Sequence, residues 1–193
     1  MAKILGNFHL ALLIGLLLLI GAMVGFHQGS MDKSYWIEVL RFLHVWAGIL
    51  WIGLLYYFNF VQIPTMPKVP AELKPGVTKY IAPAALFWFR WAAVATVVIG
   101  LILAELISPG YSMNALKLED GNRTIGIGMW LGLIMALNVW LVIWPNQKRA
   151  LGLVPVDDAK KASSASLAMM ASRTNLILSI PMLYCMVMGA HMG

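Results

Sequence analysis

Five apolar stretches, separated by short polar connections, constrain this chain more than any other feature of its sequence. Phe8 to Phe26 is apolar throughout except for His9. About 20 residues rising ~1.5 Å each are enough to cross a hydrocarbon core of roughly 30 Å. Four further stretches satisfy the same condition, so helices are expected over 8–26, 35–63, 82–107, 125–144 and 166–192. Pro64, Pro67, Pro70 and Pro75 mark an extended loop after the second. Pro109-Gly110 closes the third, and Pro145 stops the fourth. Pro181 is expected to kink the fifth. With 61% of residues hydrophobic and 11% charged, and a mean hydropathy of +0.80, the chain lacks the polar surface of a soluble domain. The expected fold is an all-α integral membrane protein, a five-transmembrane-helix bundle forming a single membrane domain over 1–193.

Met1-Ala-Lys3 ahead of an apolar run has the outline of a signal peptide. The run is too long and has no small-x-small cleavage site, so the first helix is expected to stay uncleaved. An odd number of spans puts the termini on opposite sides. With the N-terminus in the cytoplasm, Lys3, Lys68, Lys74, Lys79, Lys148, Arg149, Lys160 and Lys161 lie inside, and Lys33, Lys117 and Arg123 lie outside. That bias selects this orientation, with the C-terminus on the opposite, outer side, which is the periplasmic side in the bacterial inner membrane that the resemblance given below implies. The net charge of +6 is spread over these connections and not gathered on one face, so it reads as topology and excludes a nucleic-acid partner. The bilayer is the expected partner.

Inside the second span lies Arg41-Phe-Leu-His44-Val-Trp-Ala-Gly48-Ile-Leu-Trp51-Ile-Gly53. A cation and an imidazole are costly in an apolar helix, which makes both functional candidates. At helical spacing Arg41, His44, Gly48 and Trp51 share one face. A ligand-capable nitrogen, a bare glycine and a flat indole in a row suit a planar cofactor such as haem. The same face suits helix packing, with Gly48 admitting a neighbouring backbone and His44 bonding to it.

Helical rise places His27, His44 and His191 near the outer boundary, with Arg41, Glu38 and Glu105 in the same layer, and leaves His9 at the inner one. An outward-facing haem b would take His44 as axial ligand and Arg41 on a propionate, with His191 or His27 as second ligand. Pro181, by tilting the last turns of the fifth helix, favours His191. The single cysteine, Cys185, allows no Cys-x-x-Cys-His attachment, so any haem is held noncovalently. No catalytic triad, phosphate-binding glycine loop or zincin motif is present. Arg90 and Arg173, two or three turns from cytoplasmic ends, suit snorkelling as well as function. Trp36, Trp88, Trp91 and Trp144 read as interface belts. Met182, Met186, Met188 and Met192 read as core filler, with Cu(I) ligation as the functional alternative.

The His44 stretch, with Tyr57-Phe58 after it, resembles the first signature of the membrane domain of bacterial cytochrome c-linked urate oxidases, or urate hydroxylases. Phe87-Trp-Phe-Arg90-Trp91 and Asn138-Val-Trp-Leu-Val-Ile-Trp-Pro145-Asn-Gln147-Lys resemble its later ones, in the same order. The likeness covers roughly Tyr35 to Arg149. It implies a membrane oxidoreductase or oxidoreductase subunit that passes electrons to a cytochrome c-type partner, alone as a homo-oligomer or in a larger membrane complex. The 193 residues hold no cytochrome c domain of their own, so electrons are expected to leave through another protein. Similar His-x-x-Ala-Gly-x-x-Trp helices occur in other membrane haem b and copper-resistance families. A non-enzymatic accessory subunit or copper-handling protein is the second expectation.

Overall fold

The computed structural model describes residues 2–191, with side chains from Ile4 to His191. Every regular element among them is helical. Five helices are long and apolar enough to cross a membrane: α1 (Phe8–His27), α2 (Lys33–Lys68), α3 (Lys74–Ile107), α4 (Arg123–Ala150) and α5 (Asp158–His191). Asn7 caps α1, its side chain accepting the Leu10 N–H at 3.2 Å.

Helices α2 to α5 extend beyond the expected spans, and the prolines explain most of the difference. Three π-helical stretches, Tyr57–Gln62, Val77–Ile81 and Val139–Ile143, are each followed by one residue and then a proline: Ile63-Pro64, Ala82-Pro83 and Trp144-Pro145. In each case the residue before proline donates its N–H five positions back, from Ile63 to Phe58, Ala82 to Val77 and Trp144 to Val139. A proline inside an α-helix clashes with the carbonyl four positions back and leaves it without a partner. A turn widened to five residues moves that carbonyl aside, and the helix continues. Pro75 stands in the first turn of its helical stretch, where a missing N–H costs nothing. The expected extended loop therefore shrinks to Val69–Leu73.

Helix α4 runs on through Pro145 to Ala150. Helix α5 starts at Asp158 and not at 166, because the Asp157 side chain accepts the Lys160 N–H at 2.6 Å and caps a first turn whose composition reads as loop. It continues helically through Pro181, and the expected end at Met192 lies outside the described residues. Gly110, with φ +79°, makes the turn after α3, and a short helix, Tyr111–Leu116, stands where a polar loop is expected.

The chain divides into two compact units, Met1–Val39 and Leu40–Gly193. In the first, no residue of α1 is buried. In the second, the core is built from Trp51, Leu55 and Phe58 of α2, Leu86 and Phe89 of α3, Met135, Val139 and Ile143 of α4, and Met182 of α5. Phe58 and Phe89 meet edge to face at 5.7 Å. Amides tie α4 to α5: Asn138 Nδ2 donates to Asn175 Oδ1 (2.7 Å) and to the Ala171 carbonyl, and Asn175 Nδ2 donates to the Met135 carbonyl (3.0 Å).

Candidate functional site

His44 is half-buried in the second unit and faces α3. Its Nδ1 lies 2.8 Å from the Thr96 carbonyl oxygen. A carbonyl only accepts, so Nδ1 carries the proton, and Nε2 of the neutral ring keeps its lone pair. Access to that carbonyl depends on Gly100, whose position one turn later would put any side chain over it. A Cβ there would stand 2.7 Å from His44 Cε1 and 2.9 Å from Nδ1. Thr96 bends its own hydroxyl back to the Ala92 carbonyl at 2.7 Å, leaving its methyl toward Gly48.

Gly48, the glycine singled out in the sequence, is less constrained: an added Cβ would meet only Thr96 Cγ2, at an ordinary 3.8 Å. The glycine that admits the partner helix is Gly100, which nothing local in the sequence distinguishes. Trp51 is 1% exposed and belongs to the core, where its Nε1 has no acceptor. Arg41, one turn before His44, is half-buried and already engaged in an interaction, and Glu38, exposed in the first unit, is engaged as well. Glu105 is occupied by the turn after α3, accepting from the Gly110 N–H at 2.8 Å and from the Ser112 N–H and hydroxyl.

His191 lies exposed in the last turn of α5, with Nδ1 donating to the Val187 carbonyl at 2.8 Å. The neighbouring Gly189 packs against the backbone of Ile125 in α4. No hydrogen bond or ring contact joins His191 to His44. His27 belongs to the first unit, where its ring meets Tyr35 at 5.2 Å. Among the described residues no three His, Cys, Asp or Glu side chains gather as a metal cluster. Met182 is buried in the core and Met186 packs against it, while Met192 lies outside the described residues.

The second unit also has a polar interior that the sequence reading did not foresee. Asn59, in the first π stretch, donates to the Leu55 carbonyl and to Ser172 Oγ, both at 2.9 Å, and Tyr56 Oη meets Ser179 Oγ at 3.2 Å. Arg173 is exposed. Arg90 is largely buried, with its guanidinium carbon 3.4 Å from the centre of the Trp144 ring system. The partner of Arg90 is thus an aromatic ring expected in a belt.

Compared with models of protein families, with curated proteins and with solved structures, the chain matches none.

Proposed function

We propose that this chain is a multi-pass protein of a bacterial inner membrane, N-terminus cytoplasmic and C-terminus periplasmic, in which His44 ligates a haem b for electron transfer. The observation that carries the haem reading is the bond from His44 Nδ1 to the Thr96 carbonyl. Metal-ligating histidines commonly donate their other ring N–H to a carbonyl or carboxylate, which fixes the tautomer and orients the ring. The residues present fit the group on that count, since the bond leaves Nε2 as a lone-pair donor. Arg41, one turn away, is the propionate-holding residue, and His191 is the proposed second ligand, its Nδ1 likewise tied to a carbonyl. The bound group would supply one-electron chemistry. This chain's own residues orient the imidazole, hold its proton at Nδ1 and keep the α2–α3 contact closed. The membrane part of the proposal is supported by five helices whose outward side chains are largely apolar, among them Leu18, Ile49, Leu141 and Ile177. The resemblance to the membrane domain of urate hydroxylases supports an oxidoreductase subunit with a cytochrome c-type acceptor.

A second reading, an accessory subunit without a redox group, is favoured by the same bond taken alone. His44 to Thr96 is a complete interhelical hydrogen bond, and a membrane helix pair uses such bonds for packing. Visible spectra of the purified protein, oxidised and then reduced, together with metal analysis, separate the two. The haem reading expects a reducible Soret and α band that vanish in His44→Ala. A folded wild-type protein with no such bands and no copper leaves the accessory reading.

A further inference from the structure

Arg90 carries a charge for which the described residues provide no counter-ion. It is 9% exposed, its Nε and Nη1 are sealed from solvent, and neither has an acceptor. Among the described residues no carboxylate lies within ion-pair distance of it, and the acidic residues of the chain stand near helix ends and in connections. Titration offers no relief, because a guanidinium stays protonated in any protein environment. The faces of Trp144, at 3.4 Å, and Trp140, at 5.8 Å, offset part of the cost of burial through their quadrupoles. They accept nothing from the in-plane N–H groups. Next to them the Trp140 indole Nε1 is a further buried donor with no acceptor.

Two sealed guanidinium nitrogens that share a full positive charge are thus left without an acceptor, and the Trp140 ring, centred 5.8 Å from the guanidinium carbon, carries a third sealed nitrogen without one. A buried cation left in that state is strongly unfavourable. Because the N–H bonds of a guanidinium lie in its plane, an acceptor must approach in that plane. Nη2, the one guanidinium nitrogen that is neither sealed nor bonded, marks the direction of entry. We infer that Arg90, Trp140 and Trp144 form a binding site for an oxyanion, a carboxylate or phosphate borne by a small solute or by a lipid headgroup. The planar, multi-donor guanidinium is suited to such groups, and the Trp144 ring 3.4 Å from its central carbon restricts its movement. The site is independent of the haem reading: it leaves His44 untouched and needs no chromophore.

The test follows thermal unfolding of the full chain in nanodiscs of zwitterionic phosphatidylcholine. Benzoate and inorganic phosphate are titrated separately, against chloride at matched ionic strength. A parallel arm adds no solute but includes phosphatidylglycerol in the disc. The expected result is a saturable rise of the midpoint, in the solute arm for a solute site or in the lipid arm for a headgroup site. It is absent in Arg90→Gln and needs at least about tenfold more anion in Arg90→Lys, which keeps the charge and loses the planar donors. No saturable rise in any arm, or the same half-saturation in Arg90→Lys as in wild type, overturns the proposal. The second criterion holds even where Arg90→Gln fails to fold.

Discussion

Gly100 decides whether the His44 ring reaches the Thr96 carbonyl, and this gives the sharpest residue-scale expectations. In Gly100→Ala the new methyl would lie 2.7 Å from His44 Cε1, so either the ring rotates away or α2 and α3 separate. Overpacking of this kind costs about 1–3 kcal/mol, and unfolding in detergent should register it. Gly48→Ala meets only ordinary contact and should stay within about 0.5 kcal/mol of wild type, although Gly48 is the glycine that stands out in the sequence. On the haem proposal, His44→Ala removes the visible spectrum and His9→Ala leaves it unchanged, His9 being an exposed residue of the other unit. A His44→Ala protein with a wild-type spectrum would refute the ligand assignment. His44 itself was legible because an imidazole interrupts an apolar run. Its partner was not, because Thr96 and Gly100 are unremarkable residues in another apolar run, related to His44 only through helix packing.

At the scale of elements, existence and type could be read from hydropathy, whereas ends could not. Pro64 and Pro145 look like boundaries under the rule that proline breaks helices, and Pro83 stands in the first turn of an expected helix. In the structure the preceding residue in each case bonds five positions back and the helix passes through. That choice depends on whether the widened turn can pack, which no local composition reports. Glycines between elements show the same limit. At Gly126 an added Cβ would collide with the Ala115 carbonyl oxygen and stand 2.8 Å from Leu118 Cδ2, because the Tyr111–Leu116 helix folds back onto α4. At Gly132 it would meet only Met186 Cε, at 4.0 Å. Gly126→Ala should therefore destabilise by about 1–3 kcal/mol, whereas Gly132→Ala should be nearly neutral, as read by chemical unfolding. Asn175 is 0% exposed and uses both ends of its amide between α4 and α5. Its replacement by Ala should cost about 0.6–2 kcal/mol, the range of interhelical bonds within membranes. A loss no larger than that of an exposed Thr174→Ala control would show that the amide pair is not holding the helices.

For the whole molecule, the proposed membrane topology turns on which ends of the helices carry the basic residues. Short connections join α2 to α3 over Val69–Leu73 and α4 to α5 between Ala150 and Asp158. The adjoining ends of these four helices must therefore lie on one side once they span a bilayer. Lys68, Lys74, Lys148, Arg149, Lys160 and Lys161 all stand at those ends, whereas the opposite side has Lys33, Lys117 and Arg123. Lysine and arginine within short connections are retained in the cytoplasm during insertion, and the proposed orientation, with the basic side inside, rests on that rule. Helices of 34 to 36 residues, such as α2, α3 and α5, rise roughly 50 Å at about 1.5 Å per residue, well beyond a hydrocarbon core of roughly 30 Å. In a bilayer of that thickness their basic ends would project into the headgroups and water. Reporter fusions in the Val69–Leu73 and 151–157 connections should score as cytoplasmic, and fusions near 118–121 as periplasmic. If the two basic connections report from the periplasm, the proposed face of the His44 site inverts. An electron acceptor would then have to be sought on the cytoplasmic side, which is incompatible with a periplasmic cytochrome c partner.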